Sequence, residues 1–153
     1  MIQRIYIDTS VVGGFFDDEF KEPTQRLFNR LEKNEVRFVV SDLLELELIQ
    51  APKHVGELLL KYPTDRFERI ELTQETMDLA DHYIRERVVG RTSLEDCRHI
   101  AMATINRVDV LASWNFKHIV NLDRIKGYNS VNLRLGYPSI EIRTPQELVS
   151  YGD

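Results

Sequence analysis

Three acids and a pair of serines in this chain stand where their types and spacing can do chemistry. Asp8 ends the short apolar run Ile5, Tyr6, Ile7 and is followed at once by Thr9 and Ser10. A lone buried carboxylate costs roughly several kcal/mol unless it is paired or binds a metal, so Asp8 calls for a partner elsewhere. Glu45 and Glu47 lie in "SDLLELELIQ", and a separation of two residues puts them on roughly opposite faces of a helix. One of the two can therefore share a site with Asp8. Each has two large apolar neighbours on one side only, so spacing does not choose between them, and both also fit solvated helix positions. Asp96, in "SLEDCRHIAMAT", follows Ser93 by three residues as in a capping box, and it also heads a stripe with His99, Ile100 and Ala103. This segment fits a helix cap and a ligand equally. The apolar run before "SWNFKHI" hands over to Ser113, Trp114 and Asn115, a pattern that also fits a strand leaving the core through a turn. Two or three carboxylates with a neutral oxygen donor are what a hard divalent cation needs. Without one, like charges at close range force protonation or repulsion.

The elements that must position these groups alternate between strand-like and helical patterns. Strands are expected over 4–10, 36–41, 67–73, 108–114 and 139–143. Helices are expected over 22–35, with Pro23 early and an apolar stripe of Leu27, Phe28 and Leu31, over 42–50 and 52–62 with a break at Pro52, over 73–89, and over 94–107 after a turn at 90–93. A last helix over 144–151 is capped by Thr144 and begun by Pro145. This alternation predicts an α/β fold with a central, mostly parallel sheet flanked by helices. In such sheets the ligand site lies beyond the carboxyl ends of the strands, which is where Asp8 falls.

Composition sets further bounds. A chain of 153 residues is enough for one sizeable core, so 1–153 is expected to form a single domain. The net charge of −5 argues against coating nucleic acid through a broad basic field, but not against a nuclease, whose acidic site becomes cationic only with metal bound. No apolar run reaches the length of a membrane span, and a strand begins too early for a signal peptide. The single cysteine, Cys97, excludes an internal disulfide framework, fits a reducing cytoplasm, and falls on a core stripe with Ala101, Thr104 and Val108. His54, His82, His99 and His118 share no short ligand spacing, which argues against zinc. His99 fits helix-interface packing and is also one turn from Asp96. Lys117, His118, Arg124 and Lys126 fit either phosphate contacts or a solvated face.

In four places, in order, the sequence resembles a PIN-domain protein of the VapC toxin type: "IYIDTSVV", "VVSDLLELEL", "SLEDCRHIAMA" and "VLASWNFKHI". The closing "GYPSIEIRTPQEL" is similar to a subgroup of these proteins. The resemblance implies a PIN-like three-layer fold, an acidic site binding Mg²⁺ or Mn²⁺, cleavage of RNA, an antitoxin partner and a homodimer. It matches Asp8 to the first acid. It matches Glu47 to the second, because the family's strand-ending Ser is usually followed six places on by its Glu, as Ser41 is here. That choice of Glu47 rests on the resemblance and not on periodicity. Asp96 matches the third acid, Ser10 and Ser113 match supporting hydroxyls, and Asn115 stands where many members have a fourth Asp. An Asn brings no charge, so a second metal binds more weakly. The alternative is a weak or inactive PIN-like module that holds RNA or a protein partner. A haloacid-dehalogenase-type phosphatase fits less well, since the position two after Asp8 is Ser10. A two-component receiver also fits less well, since adjacent acids do not end this first strand.

Overall fold

Five short strands form one sheet because alternate side chains on each find a core on either face. In the computed structural model, which describes residues 2–150, β1 (Gln3–Ile7), β2 (Val36–Ser41), β3 (Phe67–Ile70), β4 (Val110–Ala112) and β5 (Ile142–Arg143) take the order β3-β2-β1-β4-β5. Every pairing is parallel. Ile5, Ile7, Phe38 and Val40 enter one core, while Tyr6, Val39 and Leu111 enter the other. The first core is closed by α1 (Thr9–Gly14), α2 (Lys21–Glu32), α3 (Asp42–Ile49), α4 (Lys53–Gly56) and, after a gap in the chain, α8 (Pro145–Ser150), through residues such as Val11, Phe28, Leu44 and Val149. The second is closed by α5 (Gln74–Arg85), α6 (Leu94–Ile105) and α7 (Leu122–Arg134), through Leu79, Tyr83, Ile100 and Tyr128. The result is the three-layer α/β arrangement expected, with an all-parallel sheet. Cys97 is buried in the second core beside Ala101, also as expected.

The strand order reverses at β1. Chain travel goes one way through β2 and β3 and the other way through β4 and β5. A crevice opens at such a reversal beyond the carboxyl ends of the strands. Here it lies between the ends of β1 and β4.

Two helices have no counterpart in the sequence pattern. The expected strand over 4–10 stops at Ile7, and "TSVVGG" is helical. Thr, Val and Gly are poor helix formers, so α1 depends on its Asp8 cap and on burial of Val11 and Val12. Helix α7 opens on Asn121, whose side chain accepts the Arg124 N–H at 3.3 Å. Its Gly127 weakens the helical signal, yet a Cβ there would stand 2.7 Å from a Val88 methyl. Other boundaries are shorter than expected. The stretch 52–62 is α4 followed by a 3-10 turn over Leu58–Lys61. Helix α5 ends at Arg85, and Arg87 just beyond it takes φ +61°. Strands β4 and β5 span three and two residues. At α8 the Thr144 hydroxyl accepts the Glu147 N–H and the Glu147 carboxylate accepts the Thr144 N–H, a reciprocal cap. Tyr151, expected to end this helix, lies outside the described residues. Among the described residues no helix is long and apolar enough to cross a membrane.

Gly14 ends α1 against the indole of Trp114, where an added Cβ would lie 2.7 Å from Cδ1 and 2.8 Å from Nε1. That Nε1–H donates to Thr24 Oγ1 at 2.9 Å. Gly14→Ala should displace the ring and cost about 1–3 kcal/mol, read from urea unfolding followed by the fluorescence of this single tryptophan. An unchanged midpoint would mean that the ring gives way freely.

Candidate active site

Strand register builds the centre of the site. Ile7 of β1 lies opposite Ala112 of β4, so Asp8 and Ser113 leave the sheet side by side. Asp8 takes an extended conformation and caps α1, its Oδ1 accepting the Val11 N–H at 3.2 Å. Oδ1 also accepts the Ser10 hydroxyl at 2.6 Å, and Oδ2 accepts the Ser113 hydroxyl at 2.6 Å. The serines are themselves pinned: Ser10 Oγ accepts the Trp114 N–H at 2.8 Å and Ser113 Oγ accepts the Asn115 N–H at 3.0 Å. Asp8 is only 4% exposed. Burial pushes its carboxyl above the usual range, and the nearby His99 with the three hydrogen bonds offsets only part of that.

Helix α3 starts at the end of β2, where Ser41 Oγ accepts the Leu44 N–H at 3.0 Å. Its two acids part company. Glu45 is exposed and accepts Arg69 Nε–H at 2.6 Å. Glu47 faces the site, where its Oε1 accepts the Thr9 hydroxyl and lies 2.8 Å from His99 Nε2. The His99 ring is buried, with Nδ1 at 2.5 Å from the Tyr6 hydroxyl, which is in turn 2.8 Å from Ser41 Oγ. Burial pushes His99 down, but the hydrogen bond and charge of Glu47, with Asp8 and Asp96, outweigh it and raise the imidazole above its ordinary value. In the protonated ring Nε2–H donates to Glu47 and Nδ1–H donates to Tyr6. Glu47 responds in kind: burial acts to raise its carboxyl, but the His99 bond and charge and the Thr9 hydroxyl bring it below the usual value.

Asp96 enters from the first turn of α6. Of the two readings open to its segment, the cap is removed: Ser93 makes no side-chain capping bond, and its buried Oγ has no partner among the described residues. Asp96 Oδ2 instead accepts the Asn115 amide N–H at 3.3 Å. Asn115 Oδ1 accepts the backbone N–H groups of Lys117 at 3.2 Å and His118 at 3.0 Å. The side-chain oxygen of Asn115 is thus committed to its own turn, and its NH₂ faces the acid. Burial raises the Asp96 carboxyl first, and the Asp8 and Glu47 charges add to it, against partial relief from His99 and His118. Trp114 packs under the turn, stacked on Phe20 at 4.3 Å, while Phe116 is half exposed.

The donor types suit a hard divalent cation. Two buried or half-buried aspartates lack a paired cation of their own, and Asp96 Oδ1 and Glu47 Oε2 accept no hydrogen bond among the described residues. The same residues hold no group of three acid, histidine or cysteine side chains already gathered as a ligand set, since Glu47 is drawn to His99. Tyr6, Thr9 and the Glu47 pairing of His99 were not legible as site features. The available signals were a tyrosine on the strand face opposite Ile5 and Ile7, which needs a polar partner when buried, and a hydroxyl next to Asp8. His99 sits in the helix interface as expected, but it holds Glu47 rather than Asp96. Of the basic residues near the site, Lys117 is exposed and Arg124 donates to the Val88 carbonyl oxygen.

The sign of the His99 shift sets a pH dependence. A raised imidazole stabilises the fold fully below its unfolded value near 6.5, and that contribution is lost as pH rises through the folded value. Wild type should therefore be more stable than Glu47→Gln by about 1–3 kcal/mol at pH 5.5. The gap should shrink toward pH 9 in paired thermal melts. A gap that is flat with pH would contradict a protonated His99.

No protein-family model matches the sequence, and no curated protein matches it. Solved structures do match in fold. A DNA-bound VapBC from Salmonella typhimurium aligns over 95% of this chain and 99% of that chain at 16% identity, with a TM-score of 0.59. VapC20 of Mycobacterium tuberculosis, a sarcin–ricin-loop-cleaving toxin, aligns over 74% of this chain and 91% of that chain at 14% identity, with a TM-score of 0.57. A toxin–antitoxin complex from Klebsiella pneumoniae aligns over 74% of this chain and 88% of that chain at 19% identity, with a TM-score of 0.53. At these identities the likeness concerns architecture, and the three-layer sandwich with its five-stranded parallel sheet is the PIN-domain fold of the VapC proteins.

Proposed function

We propose that this protein is a divalent-metal-dependent endoribonuclease and the toxin of a type II toxin–antitoxin pair. The observation that supports this reading is that the Asp8 and Glu47 charges both act on Asp96 near the strand-order reversal, while burial raises the carboxyls of Asp8 and Asp96. Asp8 and Asp96 would hold Mg²⁺ or Mn²⁺, joined by the free oxygen of Glu47. Such an ion, when bound, lowers the pKa of a water and neutralises charge on the scissile phosphate. The chain's own groups orient the acids. Ser10 and Ser113 fix both oxygens of Asp8, and the Asn115 amide holds Asp96 while its Oδ1 pins the 115–118 turn. This makes Asn115 an orienting residue rather than a ligand. Cleavage by water would leave a 5′-phosphate and a 3′-hydroxyl. The fold shared with VapC and VapBC structures supports an antitoxin partner.

A second reading, a module that binds RNA or a protein without cutting, is favoured by one observation: no three ligands stand ready-gathered among the described residues. Cleavage assays on a mixed RNA pool separate the two. Mn²⁺ should support cleavage by wild type. Asp8→Asn and Asp96→Asn should reduce it to background, and Ser113→Ala should lower it about 10–100-fold through loss of the orienting bond. Metal-independent cleavage, or products ending in a 2′,3′-cyclic phosphate, would overturn the proposed chemistry. Mn²⁺ binding without any cleavage would favour the binding module.

A further inference from the structure

A strongly basic cavity of about 830 Å³ lies where the end of α5, the 86–93 segment and the first turns of α6 and α7 meet. Arg85, Arg87, Arg91 and Arg124 line it, with Asp81 as the acid among the lining residues. This is unusual placement in a chain whose net charge is −5. Several arginines elsewhere are ion-paired, Arg4 with Glu68, Arg69 with Glu45 and Arg143 with Glu141, while Arg37 and Arg107 form no ion pair among the described residues. Arg85, Arg87 and Arg91 are exposed and make no ion pair or side-chain hydrogen bond among the described residues. Arg124 is different, since it donates to the Val88 carbonyl oxygen and so ties the 86–93 segment to α7.

Arg87 has φ +61° just past the end of α5, as Arg107 has φ +53° just past α6. The guanidinium fork matches phosphate oxygens two at a time. Val89 and Leu94 add apolar surface to the lining, and the volume is within the range of small-molecule sites. Leu94 opens α6 two residues before Asp96, on a different face of the helix, while Arg124 of the lining and Asp96 both act on the charge of the Tyr128 hydroxyl.

We propose that this cavity is a subsite for single-stranded RNA, in which Arg85, Arg87 and Arg91 hold strand phosphates and the half-buried Leu94 receives a base or sugar. The proposal rests on the ribonuclease reading and supplies the cationic surface that the acidic centre lacks.

The test is binding rather than cleavage. Anisotropy of a short labelled single-stranded RNA of mixed sequence is followed against salt in an Asp8→Asn background. That protein is compared with one also carrying Arg85→Ala, Arg87→Ala and Arg91→Ala, and with a charge-matched control carrying Lys33→Ala, Lys53→Ala and Lys61→Ala. The arginine variant should bind about tenfold or more weakly at low salt. Its slope of log affinity against log salt should flatten by about 2, at roughly 0.7 per lost phosphate contact. The lysine control should stay close to the parent. If the triple variant melts below the assay temperature, each single arginine variant is measured and should flatten the slope by about 0.7. Equal losses in both triple variants, no loss in either, or no RNA binding by the parent would overturn the subsite. So would displacement of the RNA by a glutamate-rich peptide or by inorganic phosphate as effectively as by unlabelled RNA. Cleavage by wild type is read separately, so failure of the nuclease reading shows there and failure of the subsite shows in the arginine comparison.

Discussion

The burial of one carboxylate at the end of the central strand is the constraint on which the rest of this structure depends. Asp8 is placed by strand register, capped into α1, and supplied with three hydrogen bonds from Ser10, Val11 and Ser113. Those bonds satisfy its oxygens but leave its charge largely unbalanced, and its carboxyl stays above the usual range. A neutral Ser or Asn would cap the helix as well without burying a charge. Retaining ionisable acid in such a place costs stability, as active sites commonly do. Asp96, raised partly by Asp8 itself, is the same kind of cost on a neighbouring element.

Glu47 is treated differently. It is tied to His99, and through His99 to Tyr6 and Ser41, so one polar chain links α3, α6, β1 and the end of β2. The chain runs through the second core, where an unsatisfied polar atom costs most. It fixes the distance between the helices that carry Glu47 and Asp96. The outcome is a site with one neutralised acid and two that are not, held by groups whose own partners come from separate elements. Asn115 adds a neutral restraint. Its oxygen anchors the turn and its nitrogen donates to Asp96; an Asp here could keep the first bond but would lose the second.

The sequence carried the architecture well where local chemistry and tertiary placement agree. The β2 run of Val, Phe and Val coincides with its strand to the residue, and the Thr144–Pro145 start of α8 is the reciprocal cap its spacing announces. Helix α1 was illegible because its residues disfavour helix and its support comes from Asp8 and the buried faces of Val11 and Val12. Glu45 and Glu47 could not be separated by periodicity, since α3 presents apolar residues on both flanks. The distinction is made by Thr9, His99 and Arg69, all distant in sequence. Ser93 shows the opposite failure, with capping-box spacing but no capping bond.

Thermal melting of wild type and Asp8→Asn with and without Mn²⁺ bears most directly on the unbalanced charge at the centre. Without metal, Asp8→Asn should melt higher than wild type, because it removes a buried charge whose folded-state carboxyl is raised. Mn²⁺ should raise the melting temperature of wild type and leave Asp8→Asn unchanged. A lower melting temperature for metal-free Asp8→Asn, together with a wild type indifferent to Mn²⁺, would make Asp8 a structural cap and contradict a cation-binding centre.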